Sequence, residues 1–181
     1  LHISAVLLPG DISSKIGKIY SPPISVVHLG YERASIRGDV DGFGFLVAPS
    51  ERSDILGCIF SSLVFPERAP QGKILFTVLL GGAVNPDITK HSAKELQDIA
   101  HKALSKYLLI DATPSFSYAH TIQHSIPQYN IGQRDILQQI KKIESENTGL
   151  HFAGSYRGGI SIGACVSYAK TVASEIIGSD F

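Results

Sequence analysis

The chain has 181 residues, 16 basic and 16 acidic side chains, 44% hydrophobic residues, and neither Met nor Trp. Balanced charge excludes the Lys/Arg excess of a nucleic-acid-binding domain, and the apolar content excludes a disordered chain; the length suits one domain or two small ones. A chain that opens Leu1-His2-Ile3-Ser4 without Met is expected to be a piece of a longer protein.

Residues 23–30, 42–47, 55–65 and 74–80 are rich in Val, Ile, Leu and Phe and are separated by Pro, Gly, Ser and Asp, which predicts four strands. Their short links favour antiparallel neighbours. Leu96, Ile99, Ala100, Ala103, Leu104, Tyr107 and Leu108 then fall on one helical stripe, and Ser92 with Glu95 forms a capping box at its start. Phe116, Tyr118, His120, Ile122 and His124 alternate with small or polar residues, predicting a half-buried strand over 115–123 that Pro127 ends. Ile136, Leu137, Ile140 and Ile143 mark a second helix closed by Asn147 and Gly149. Residues 150–153 read as a short strand, 154–163 as a glycine-rich loop, and Ile162, Val166, Ala169, Ala173 and Ile176 as a last helix ending at Gly178. The fold class is α+β, a mostly antiparallel sheet with helices.

The strand, glycine loop and helix at the C-terminal end form a unit suited to a site. Glycines remove Cβ bulk, and helix-start amides carry partial positive charge, so the loop can meet a carbonyl or an anion closely; a plain tight turn is the competing reading. The loop lacks both the dinucleotide fingerprint and the P-loop ending. Gly159-Ile160-Ser161-Ile162-Gly163 has the form of a nucleophile elbow, but that motif needs a later His and the last one here is His151. His120 and His124 are about 13 Å apart along a strand, too far to share a metal. Cys58 and Cys165 lack a pairing pattern, which favours a reducing interior. No catalytic set and no metal site is expected, and no run reaches the ~20 apolar residues of a membrane span.

Several segments carry a resemblance in a consistent order: Tyr20-Ser21-Pro22-Pro23, Gly30-Tyr31, Asp41-Gly42-Phe43-Gly44-Phe45-Leu46-Val47, Leu56-Gly57, Phe65-Pro66-Glu67-Arg68-Ala69-Pro70, Gly81-Gly82, Ile126-Pro127-Gln128-Tyr129, and the run from Phe152 to Gly163. They resemble the protoporphyrinogen oxidases of the flavin-dependent amine oxidase superfamily, in their C-terminal portion. The resemblance implies that residues 1–14 and 129–181 belong to an FAD-binding domain and 15–128 to a substrate-binding domain. Residues 6–9 resemble the strand leading into the substrate sheet. It further implies that Ser155, Ile160, Ser161, Ile162 and Gly163 approach the flavin and ribityl end of FAD, and that Leu46, Ile59 and Leu79 line the tetrapyrrole pocket; ordinary core packing is the alternative for these three.

The implied activity is oxidation of protoporphyrinogen IX to protoporphyrin IX in haem biosynthesis, with FAD as cofactor. The implied partners are the porphyrinogen and the N-terminal half of the same protein, with no nucleic acid; a cytoplasmic location, peripheral membrane contact and a homo-oligomer are compatible with it. The fragment by itself is expected to be inactive and to bind FAD poorly. Two other readings stand beside this one: a coproporphyrinogen or other amine-oxidase-type flavoenzyme, and a stand-alone module that binds hydrophobic ligands on Leu46, Ile59 and Leu79.

Overall fold

The computed structural model describes residues 17–178, and the chain divides into two compact units, Pro22–Ser125 and Leu1–Ser21 with Ile126–Phe181. In the first unit, period-two alternation builds the two long strands β1 (Ile24–Glu32) and β4 (Lys73–Gly81). Between them come two three-residue strands, β2 (Gly44–Leu46) and β3 (Gly57–Ile59), and one helical turn, α1 (Ser61–Val64). A sixteen-residue helix, α2 (Ala93–Leu108), and strand β5 (Phe116–Ile122) follow. The sheet order is β2-β3-β4-β1-β5, and every pairing is antiparallel.

One face of this sheet is the core. Val27, Leu29 and Tyr31 of β1, Phe76, Val78 and Leu80 of β4, and Cys58 of β3 are buried with Leu96, Ala100, Leu104 and Leu108 of α2. These helical positions are spaced three and four apart, so a single stripe of α2 covers the face. Aromatic edges lock the layer: Phe60 meets Phe76 and Phe45 with ring centroids 5.5 and 6.1 Å away, and Phe45 meets Tyr107 at 5.4 Å. The capping box is formed as expected, Glu95 N donating to Ser92 Oγ (3.3 Å) and Ser92 N donating to a Glu95 carboxylate oxygen (2.8 Å).

Three expectations change. The apolar run 55–65 is not one strand: β3 stops at Ile59 and the chain turns into α1. Residues 61 and 62 lie where the next rungs against β4 would fall, and the Ser62 hydroxyl accepts from Leu75 N (2.9 Å), doing the work of a strand carbonyl. In β5 the large side chains lie on the solvent side; Phe116 and Tyr118 are both more than half exposed while Ala119 packs toward the core. The alternation is real, but its small residue is the inward one, because the helix layer already fills the space beneath.

The third change is in the second unit. Its core gathers Ile19, Ile140, Phe152 and Tyr156, with Ile136, Leu137, Ile143 and Leu150 against them. Ile136, Leu137, Ile140 and Ile143 come from α3 (Gln133–Glu146). Residues 150–153 form no strand. Glu144 accepts from Phe152 N (2.7 Å) and Arg157 donates to the Phe152 carbonyl (2.9 Å), so both ladder groups of Phe152 are taken by side chains. Beyond lie the short α4 (Ser155–Gly158) and the sixteen-residue α5 (Ile162–Ile177), which ends on Gly178 as expected. No residue of α5 is buried. Residues 6–9 lie outside the described residues.

Candidate functional site

The face of the sheet opposite α2 is the first candidate. Because side chains alternate, the pairing register alone sets which residues share it. One row across the strands reads Leu46, Gly57, Leu79, Val26, His120; the next reads Gly44, Ile59, Thr77, His28, Tyr118; a third holds Leu75, Gly30 and Phe116. Leu46, Ile59 and Leu79, named from the sequence as pocket residues, therefore lie together on this face in adjacent rows. None is in the buried core: Leu46 is 85% exposed, and Ile59 and Leu79 are half-buried. Gly57 makes the row possible, since a Cβ there would come within 2.5 Å of the Phe45 carbonyl oxygen and 3.0 Å of the Leu46 side chain.

A short polar line crosses this apolar surface. Ser61 Oγ lies 2.6 Å from Thr77 Oγ1, which lies 2.9 Å from His28 Nδ1, and the His28 ring stacks on Tyr118 with centroids 6.4 Å apart. Burial, with help from the Arg68 charge, lowers the His28 pKa below its ordinary value, so the ring is neutral near pH 7. Ser61, Thr77 and His28 were not singled out from sequence; the signal was available in the period-two spacing, which puts Thr77 and His28 on the same face as Leu79. On the core side, burial pushes the Cys58 thiol up to about 12, which leaves it an inert small apolar group.

In the second unit the glycine-rich segment delivers the chain into α5. Gly159 has φ +113°, a conformation L side chains rarely adopt, and it sets the angle of entry. Ser161 is the N-cap: Ala164 N donates to its hydroxyl (3.1 Å), which shows what this serine does in place of the nucleophile role its motif suggested. Ile162 and Gly163 occupy the first turn, where amides have no intrahelical carbonyl, and no acceptor among the described residues takes them. Ile160, Ser161, Ile162 and Gly163 are exposed, and a Cβ on Gly163 would have nothing within 4 Å. Ser155 is set by its own carbonyl, which accepts from the Tyr129 hydroxyl (2.5 Å).

Arg157 is committed elsewhere. It donates to Glu144 (2.6 Å) with both side chains more than four-fifths buried, and its guanidinium lies 5.6 Å from the Tyr168 ring centroid. Burial by itself would raise the Glu144 pKa, but the hydrogen bonds from Arg157 and Phe152 N outweigh it and hold the carboxyl below its ordinary value. Among the described residues no group of three or more His, Cys, Asp and Glu is placed to hold a metal, and no helix is long and apolar enough to cross a membrane.

The family model for flavin containing amine oxidoreductases matches residues 3–177. The chain belongs to this family. Membership implies FAD as the cofactor. Among curated relatives, the chloroplastic protoporphyrinogen oxidase of Nicotiana tabacum is 32% identical over 97% of this chain and 34% of its own length. The mitochondrial protoporphyrinogen oxidase of the same plant is 33% identical over 86% and 31%. Coproporphyrinogen III oxidase of Staphylococcus aureus is 27% identical over 87% and 34%. The chain thus spans about a third of the length of the curated relatives it matches. Among solved structures, one from Exiguobacterium sp. 255-15 that carries the protoporphyrinogen oxidase name superposes with a TM-score of 0.75 at 19% identity, over 90% of this chain and 36% of that one. Reduced UDP-galactopyranose mutase superposes with 0.72 at 12% identity, over 93% and 36%. At these identities the superpositions establish the fold alone, α+β.

Proposed function

We propose that the chain is the C-terminal part of an FAD-dependent oxidase that converts protoporphyrinogen IX to protoporphyrin IX in haem biosynthesis. The observation that carries this reading is the open sheet face, where Leu46, Ile59 and Leu79 lie in adjacent rows with Val26, Tyr118 and Phe116 beside them. A broad apolar surface interrupted by one neutral, hydrogen-bonded polar line suits a flat macrocycle with few polar atoms. In this reading the unit Pro22–Ser125 binds substrate, and the unit carrying α5 belongs to the FAD-binding domain.

FAD, when bound, would supply the redox chemistry as the acceptor of hydride equivalents, each carrying two electrons. The residues of this chain bind and orient. The amides of Ile162 and Gly163, with Ile160, Ser161 and Ser155 near them, would hold the flavin and ribityl end; Leu46, Ile59 and Leu79 would bury the macrocycle and exclude water from it. No side chain of the chain is required as a general base. The N-terminal half of the protein is the partner that completes both sites, and a site of action inside the cell, peripheral to a membrane, belongs to the same proposal.

The test is anaerobic flavin loading followed by porphyrinogen turnover, with the complete protein and the 181-residue chain side by side. Turnover by the complete protein with none by the chain is expected. Yellow flavin retained by the isolated chain through gel filtration, with oxidation of protoporphyrinogen, would overturn the fragment reading. The bacterial coproporphyrinogen III oxidases among the relatives make coproporphyrinogen the second substrate to compare in the same assay.

A further inference from the structure

At the β5 end of the open face the surface deepens into a pocket of about 390 Å³ lined by Gly30, Arg68, Pro70, Lys73, Leu75 and Phe116 among others. Its floor is apolar. Gly30 pairs with both Leu75 and Phe116, and a side chain at position 30 would press on the Phe116 Cβ at 3.2 Å, so the missing side chain is part of what hollows the surface.

Two cations border this floor, and they differ. Lys73 is paired with Glu32 at 3.0 Å. Arg68 has no carboxylate partner among the described residues; its guanidinium lies 5.2 Å from the centroid of the Phe65 ring, and its backbone N donates to the Phe65 carbonyl at 3.0 Å. The contact with the ring leaves the guanidinium N–H donors unspent. Its charge also reaches His28, one row further along the same face. An unneutralised guanidinium beside an apolar hollow is arranged for a ligand whose body is apolar and whose arm ends in a carboxylate, since that group takes two parallel N–H bonds from one guanidinium.

We propose that Arg68 is a substrate-anchoring residue, binding a carboxylate arm of the porphyrinogen in this pocket while the macrocycle lies along the Thr77 and Leu79 rows. This rests on the function proposed above. The rows are two residues apart, so the pocket and Leu79 are separated by about 13 Å along β4, and one ligand of macrocycle size must span both.

The test compares Arg68→Ala and Arg68→Lys with the unsubstituted complete flavoprotein, using protoporphyrinogen IX and its dimethyl ester as substrates. A charge-assisted hydrogen bond is worth a factor of about 10 or more, so Arg68→Ala should raise KM for the free acid at least about 10-fold with kcat within about two-fold. Arg68→Lys should recover part of the loss, and the ester should be nearly indifferent to either substitution. Arg68 is exposed, so its replacement should leave folding intact, which the flavin absorbance of each variant checks. Normal KM for the free acid in Arg68→Ala, or an equal loss with the ester, overturns this inference and leaves the oxidase reading standing. Absence of porphyrinogen turnover by the unsubstituted protein overturns that reading and the anchor with it.

Discussion

Glu144 and Arg157 hold the segment before α4 by a hydrogen-bonded ion pair that also takes up both backbone groups of Phe152. Glu144 is held below its ordinary value of 4.5 by these bonds, against a burial effect of opposite sign. A depressed carboxyl stabilises the folded chain fully above pH 4.5, and that contribution is lost as pH falls through the depressed value. Thermal melts of the chain from pH 7 down to pH 3 should therefore lose stability at the acid end, and Glu144→Gln should flatten that part of the profile. At pH 7 the substitution should cost about 1–3 kcal/mol, because it leaves Arg157 without its charge partner. A variant with an unchanged acid limb would show that the pair contributes nothing. The sequence did not announce this pair: Glu144 and Arg157 are 13 residues apart, and nothing in a polar residue near a helix end says which distant arginine will find it.

At the scale of elements, α2 is held from its first turn. Ser92→Ala removes one partner of the capping box and should cost about 1 kcal/mol, read as a drop in urea midpoint with an unchanged slope. A change below about 0.3 kcal/mol would mean that the packed stripe alone holds the helix start. This element was the most readable in the sequence, because cap and stripe are both local patterns that agree. The long strands were readable for the same reason. The failures came where a distant group competed for the backbone: the Ser62 hydroxyl replaced a rung of β3, and two side chains replaced a strand at 150–153. In β5 the period was legible but its direction was not, since alternation says that two faces differ without saying which of them a helix will cover. For the candidate site, periodicity placed Leu46, Ile59 and Leu79 on strands; the register then brought them to one face, and that register depends on contacts far apart in the chain.

For the whole molecule, the open sheet face separates stability from binding. Leu46 is 85% exposed, so Leu46→Asp should leave the melting temperature of the complete protein nearly unchanged while raising KM for protoporphyrinogen by about 10-fold, since it puts a charge where apolar area would be buried. Loss of folding in that variant would instead place Leu46 in the core. The helix α5 carries the same message more strongly. Ile162, Val166, Ile176 and Ile177 are each more than half exposed, although their spacing is that of a helix packed on one side. A stripe of that kind left in water is a liability in solution. The chain expressed alone should bind the dye ANS and form assemblies that grow with concentration, and co-expression with the N-terminal half should suppress both. In the cell, any polypeptide made with that stripe uncovered would be a client for chaperones.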